Sequence, residues 1–260
     1  MELSAIIEAI RGALPRVLLT IDFDGTLAPL VDDPELSRAT PGAVAALAEL
    51  ANNGAQVAVI TGREALTALR LGPLDAIPDL TVIGVYGAET WSHGKLMTRE
   101  TPQSLPAIKD RLIDLVQAAD SDPALWVEDK RLSLVVHARR AEHPQAALAH
   151  VAAAVQILAD EVELEVHTGR DVLELRLPGL DKGASLARLL AERDPAAVLY
   201  IGDDLGDLPA FEEVRSQRED GRIAYSVGVL SSDVEEIRKV VDATIAGPDD
   251  VVDLLRALSA

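Results

Sequence analysis

Two carboxylates stand two residues apart in Asp22-Phe23-Asp24-Gly25-Thr26-Leu27, directly after the apolar run Val17-Leu18-Leu19-Thr20-Ile21. That run reads as a buried parallel strand, and open α/β sheets hold their sites at the C-terminal ends of such strands. Carboxylates placed there are costly unless they bind a cation or carry out chemistry. Gly25 lets the chain turn sharply after the second one. Turn formation alone also accounts for Asp and Gly at a strand end, so the segment needs partners elsewhere in the chain.

Three further fragments supply them. Thr61-Gly62-Arg63 follows the apolar run 56–60. A hydroxyl with backbone N–H groups at a helix start suits a phosphate, although a Thr N-cap followed by Gly is also common. Lys182-Gly183 opens a helix after Pro178-Gly179. A lysine in a first turn opposes the helix dipole and so predicts negative neighbours. Gly202-Asp203-Asp204-Leu205-Gly206-Asp207 packs three carboxylates into five residues after the run ending at Ile201. They repel one another unless a hard cation sits among them, and the lack of His or Cys favours Mg²⁺ over zinc.

The elements that must position these groups alternate along the chain. A helical period covers 41–53 and stops at Asn53-Gly54; a strand follows at 56–60, a helix at 63–71 and a strand at 80–85. Further on, a helix is predicted over 182–192, a strand over 197–201 and a helix over 208–214. Such alternation specifies a doubly wound parallel sheet. Between about residues 90 and 178 the pattern changes to paired strands, 125–128 with 132–137 and 162–167 with 172–177, beside two Ala/Leu-rich helices. That is an α+β insertion.

Composition narrows the classes. The chain has 260 residues, 48% of them hydrophobic, enough for a sizeable core. A net charge of -19 argues against nucleic acid, whose binding depends on neutralising phosphates. No apolar stretch is long enough for a membrane span, and no basic region followed by an apolar run marks a secretory leader. Cysteine is absent, which removes disulfides and thiolate chemistry and fits a reducing cytoplasm. A cytoplasmic monomer acting on a small molecule is expected.

The four fragments, in this order, resemble the signature of the haloacid dehalogenase superfamily: Asp22/Asp24, then Thr61, then Lys182, then Asp203/Asp207. An Asp two residues after the first is what the phosphatases and mutases of that superfamily carry. The insertion is similar to that of trehalose-6-phosphate phosphatases at Gly84-Val85-Tyr86-Gly87-Ala88-Glu89, Val127-Glu128-Asp129-Lys130, Val136-His137-Ala138-Arg139 and the segment 172–183. The family usually has His at the place of Tyr86 and Thr-Asp-Glu at the place of Gly206-Asp207-Leu208. The resemblance implies a Rossmann-like doubly wound core from residues 1–88 and 179–260, with 89–178 as an α+β cap over the substrate.

It also implies a Mg²⁺-dependent phosphomonoester hydrolase that converts trehalose 6-phosphate to trehalose in the last step of trehalose biosynthesis. Mg²⁺ would be held by Asp22, the Asp24 carbonyl and Asp203, with Asp207 in the same cluster. Asp22 would attack phosphorus, Asp24 would act as general acid and base, and Thr61 and Lys182 would hold the phosphoryl oxygens. Gly62 and Arg63 would complete the phosphate site. Glu128, Lys130, Arg139 and Glu174, on insertion strands, match family positions for sugar contacts. His137, His167, Trp91 and Trp126 read as structural. Another sugar-phosphate phosphatase, for sucrose phosphate or a glycosyl-phosphoglycerate, is the neighbouring possibility.

Overall fold

The computed structural model describes residues 2–99, 104–118, 121–130, 133–169, 171–230 and 234–260. In chain order it begins with α1 (Leu3–Ala13), β1 (Val17–Ile21), α2 (Ala43–Asn52), β2 (Gln56–Ile60), α3 (Ala65–Leu71) and β3 (Thr81–Gly84). A hairpin follows, β4 (Glu89–Ser92) and β5 (Lys95–Thr98). Next come α4 (Ser104–Val116), β6 (Trp126–Asp129), β7 (Ser133–His137), α5 (Pro144–Asp160), β8 (Glu165–Gly169) and β9 (Val172–Arg176). The chain ends with α6 (Lys182–Arg193), β10 (Ala197–Gly202), α7 (Leu208–Glu219), β11 (Ile223–Val229), α8 (Val234–Arg238), β12 (Ala243–Ile245) and α9 (Pro248–Ser259).

Two compact units result, residues 1–98 with 181–260, and residues 99–180. The first is built on an eight-stranded sheet in the order β12-β11-β10-β1-β2-β3-β4-β5. Its first six strands are parallel and β4 and β5 are antiparallel. All five residues of β1 are buried, as a strand with helices on both faces requires. Alternation then sorts the side chains. Leu19, Ile21, Val57 and Val59 join a cluster with Ile6, Leu47 and Leu255 from helices of one layer. Leu18, Ala58, Ile60 and Tyr200 join Leu186, Leu190 and Phe211 from α6 and α7 on the other. Strand order reverses at β1, between β10 and β2, and the C-terminal ends of those strands flank the crevice where such sheets bind ligands.

The second unit is a four-stranded antiparallel sheet, β6-β7-β9-β8, with α4 and α5 on one face. Leu134, Val136, Leu173 and Leu175 point into the core beneath those helices, with Leu112 and Val155 opposite. The strand pairs expected in the insertion form, with β6 against β7 and β8 against β9. Leu132, placed in the second of these strands by sequence, lies outside the described residues.

Two differences from the sequence reading have clear physical causes. The change of pattern at about residue 90, and the cap of 89–178 that the resemblance implies, set the insertion earlier than the second unit begins, since 89–98 belong to the first unit. These residues turn at His93 and Gly94, both with left-handed φ, and the hairpin pairs with β3. The helix expected from residue 63 begins at Ala65 instead, because Glu64 is extended. The Ala65 N–H donates to the buried Glu89 carboxylate at 2.9 Å, so Glu89 takes the first donor of that helix.

Candidate active site

Asp22 follows the last residue of β1, and its N–H still donates to the Ile201 carbonyl of β10 at 2.9 Å. The chain then folds back within a few residues, with Gly25 N–H on the Ala28 carbonyl at 2.7 Å. Gly25 has φ 77°, and a Cβ there would stand 2.0 Å from the Asp203 carboxylate. Only glycine meets both demands. The first and fourth sequence fragments therefore touch.

Lys182 opens α6, whose N-cap is the side chain of Asp181, accepting from Ala184 N–H at 2.7 Å. Its ammonium is buried, 3% exposed. Nζ lies 2.7 Å from Asp207 Oδ1, 3.0 Å from Asp22 Oδ2 and 3.7 Å from Asp204 Oδ1. These are the negative neighbours that a lysine in a first turn calls for. Burial alone would lower its pKa, but Asp207 and Asp22 outweigh that and hold it well above an ordinary lysine.

Asp207 anchors the acidic loop. Its Oδ1 accepts from Lys182 and from the Tyr200 hydroxyl at 2.6 Å, and its Oδ2 accepts from the N–H groups of Asp203 and Asp204 at 2.9 and 3.0 Å. Burial works to raise its pKa, yet Lys182 and these bonds hold it below the ordinary value. Asp203 fares differently. Burial and the charges of Asp207 and Asp204 push it up to about 8, with Lys182 and a bond from Thr26 Oγ1 at 3.3 Å acting the other way. Asp22 is also raised, by burial first, with Lys182 acting in the other direction.

One buried cation is too little positive charge for this many carboxylates. Oxygens of Asp22, Asp204 and Asp207 all lie within 4.8 Å of one another. An all-oxygen set with an electrostatic deficit fits a hard divalent cation such as Mg²⁺ and would not select zinc.

Asp24 faces another partner. Both of its oxygens are held by Arg63, and Ser37 Oγ donates to Oδ1 at 3.4 Å. The Arg63 guanidinium also sits 5.6 Å from the centre of the buried Phe23 ring. Thr61 is buried at the end of β2 and its Oγ1 accepts from Arg63 N–H at 3.1 Å. Gly62 lies under Tyr86, where a Cβ would be 2.7 Å from the phenol oxygen. Val85 and Tyr86 both have left-handed φ, 48° and 54°. That conformation is strained for a β-branched residue. It is secured by Val85 N–H to Arg63 O at 2.9 Å and Ser185 Oγ to Tyr86 O at 3.2 Å.

The first unit thus gathers Asp22, Asp203, Asp207 and Lys182 into one bonded cluster, and joins Asp24, Thr61 and Arg63 in another. The second unit gathers its candidates less completely. Glu128 on β6 and Glu174 on β9 stand in one cross-strand row, separated by Val135 of β7. Lys130 and Arg139, expected on strands, lie just past the ends of β6 and β7, at opposite ends of that pair. Glu128 bonds His137 at 2.8 Å, and His137 stacks on Trp126 with ring centres 4.0 Å apart. Ser133 Oγ donates to Glu174 at 2.6 Å. Trp126 and the buried His137 therefore lie on the same sheet face as Glu128 and Glu174, opposite the face that packs under the helices. Sequence reading also passed over Tyr200, Thr26 and Ser37. A lone Tyr in the aliphatic strand 197–201 was the visible signal for the first.

A chain similar in sequence is the trehalose-phosphate phosphatase of Mycobacterium marinum, 34% identical over 211 residues, which are 77% of this chain and 52% of that one. This chain spans about half the length of the curated relatives it matches. The Candida albicans trehalose-6-phosphate phosphatase C-terminal domain has the same fold, with a TM-score of 0.78 at 20% identity, covering 100% of this chain and 97% of that one. So has the C-terminal domain of the Candida albicans trehalose synthase regulatory protein, with a TM-score of 0.74 at 14% identity, covering 100% and 98%. The trehalose-phosphatase family model matches residues 20–246, nearly the whole of both units, and the chain belongs to that family.

Proposed function

We propose that this chain hydrolyses trehalose 6-phosphate to trehalose and phosphate, with Mg²⁺, as the closing step of trehalose formation. The same fold occurs in a protein described as a regulatory one, so the fold by itself does not decide for catalysis. The observation that carries the reading is Asp22 beside Lys182 in a buried cluster with more carboxylates than cations.

In this reading Asp22, the Asp24 carbonyl and Asp203 would hold the cation, next to Asp204 and Asp207. Asp207, its oxygens already shared among four donors, chiefly fixes Lys182 and the loop. A bound Mg²⁺ supplies the positive charge that lets a carboxylate and a phosphate dianion approach. Asp22 attacks phosphorus, the bond to the sugar oxygen breaks, and Asp24 delivers a proton to that oxygen. Water then gives its proton to Asp24 and attacks the aspartyl phosphate, releasing phosphate and freeing Asp22. Lys182, Thr61 and the Gly62–Arg63 segment hold the phosphoryl oxygens. For Asp24 to act, Arg63 must let go of it, and an arriving phosphate dianion competes for that guanidinium.

The sugar is selected by the second unit, residues 99–180, acting as a lid, with Glu128, Glu174, Lys130 and Arg139 as the contacts. Among the described residues no helix is long and apolar enough to cross a membrane. A cytoplasmic, monomeric enzyme is the corresponding expectation. The test is phosphate release from a panel of sugar phosphates with and without Mg²⁺. Trehalose 6-phosphate should be hydrolysed far faster than glucose 6-phosphate or sucrose phosphate, and only with metal. Preference for another ester overturns the substrate, and no release from any ester overturns the activity.

A further inference from the structure

We propose that a cleft of about 400 Å³ at the start of β2, the end opposite Thr61, binds a small hydroxylated anion. Arg193 would hold its carboxylate or phosphate and Gln56 one of its hydroxyls. The cleft belongs entirely to the first unit and is lined by Gln56, Asp79, Ser92, His93 and Arg193, with small residues from the end of α2. Sheet register brings them together. Thr81 stands opposite Ala58 of β2 and Ser92 of β4, and Gln56 lies two residues before Ala58.

Two polar groups in this cleft are underused. The Gln56 Oε1 atom is buried and has no hydrogen-bond partner, an expensive state for an amide carbonyl. Arg193, the last residue of α6, makes one side-chain hydrogen bond among the described residues, from Nη2 to Thr81 Oγ1 at 2.5 Å. A guanidinium carries five donors and no acceptor, so most of its capacity is unspent in a half-buried place. Its surroundings push its pKa below the ordinary arginine value through burial, with Glu192 opposing.

Among the described residues, the nearby carboxylates leave Arg193 unpaired. Asp194 pairs with Arg222 at 3.3 Å, and Asp79, the carboxylate of the lining itself, lies on the exposed rim 3.7 Å from His93 with its side chain 89% exposed. A guanidinium with unspent donors and an amide carbonyl without a donor, lining one cleft, fit a ligand with an anionic group and a hydroxyl. A cleft of this size accommodates a molecule as large as a sugar acid or a sugar phosphate. Neither group takes part in the chemistry at Asp22, so the inference stands apart from the proposed activity.

Backbone-amide NMR of the intact chain tests this, with gluconate, inorganic phosphate and glucose as probes, none of which is a phosphate ester. Gluconate should shift the amides of residues 54–56, 79–81 and 92–93 saturably at millimolar concentration. Phosphate should move the same amides more weakly, and glucose should leave them unmoved. Arg193→Gln should weaken gluconate by about tenfold or more, the effect of losing a charge-assisted contact. Gln56→Leu should weaken gluconate while leaving phosphate unchanged, and keeps the test open should Arg193→Gln unfold the chain. Cleft amides unmoved by gluconate, moved equally by glucose, or moved equally in a folded Arg193→Gln variant would overturn the proposal.

Discussion

Arg63 grips Asp24 by both carboxylate oxygens, Nε to Oδ2 at 2.5 Å and Nη2 to Oδ1 at 2.6 Å. The grip joins the loop after β1 to the loop after β2, and it raises the guanidinium pKa through that hydrogen bond. In the proposed reaction Asp24 exchanges protons with the sugar oxygen and with water, which requires the pair to open in each turnover. The same guanidinium then becomes available to phosphate.

Arg63→Lys should therefore be damaging despite retaining the charge, since an ammonium cannot grip two oxygens in a fork. We expect kcat/KM to fall on the order of 10²-fold, from one or two lost charge-assisted bonds. Folding should be unaffected, as judged by circular dichroism. Steady-state kinetics on trehalose 6-phosphate checks this, and wild-type kinetics in the variant would show that Arg63 only shapes the loop.

Asp22→Asn should abolish turnover and leave the fold intact. The amide keeps the shape and removes a carboxylate whose ionised form is disfavoured by burial. Lys182 retains Asp207 at 2.7 Å, so the ammonium is not stranded. Phosphate release at more than a few per cent of wild type, with deamidation excluded by mass spectrometry, would rule out Asp22 as the nucleophile.

Metal removal should make stability depend on pH in a particular direction. Asp203 is raised from 3.8 to about 8. Between those values the folded chain retains a proton that the unfolded chain has lost, so rising pH favours unfolding. Asp22 is raised in the same sense. Asp207, lowered from its ordinary value, acts oppositely, but only at pH values below that window. The melting temperature in chelator should thus fall as pH climbs from about 4 to about 8. Mg²⁺ should restore it most at the alkaline end, and Asp203→Asn should flatten the chelated profile. A chelated melting temperature that rises across this range, in scanning calorimetry, would remove the carboxylate crowding from the account.

The strand-end carboxylates and Lys182 were legible in sequence because each sits beside a boundary that propensity marks: an apolar run giving way to Asp-Gly, or a Pro-Gly before a helix. The doubly wound order followed from the same boundaries. Contacts between distant segments left no such mark. Nothing local announces that Glu89 caps the helix at Ala65, or that Tyr86 lies over Gly62 in a left-handed backbone. The β4–β5 hairpin was absorbed into the insertion because two four-residue strands make little periodicity. Lys130 and Arg139 were set on strands that end one or two residues earlier.

The row formed by Glu128, Val135 and Glu174 supplies the test of sugar selection. Both glutamates are already oriented, Glu128 by His137 and Glu174 by Ser133. Oriented acceptors bind sugar hydroxyls with less loss of side-chain freedom than loose ones. Glu128→Ala and Glu174→Ala should each lower kcat/KM on trehalose 6-phosphate severely, and together by about 10²-fold or more, for two or three lost hydrogen bonds. Lys130→Ala and Arg139→Ala, altering residues past the strand ends, should each cost less. His137→Ala should weaken the same substrate through Glu128, with Glu128→Ala adding little on top, the non-additivity of a bonded pair. Turnover of p-nitrophenyl phosphate, which has no second sugar, should change far less in every variant. Equal losses on both esters would mean that these residues maintain the fold, and an additive His137/Glu128 pair would mean that the histidine does not position the glutamate.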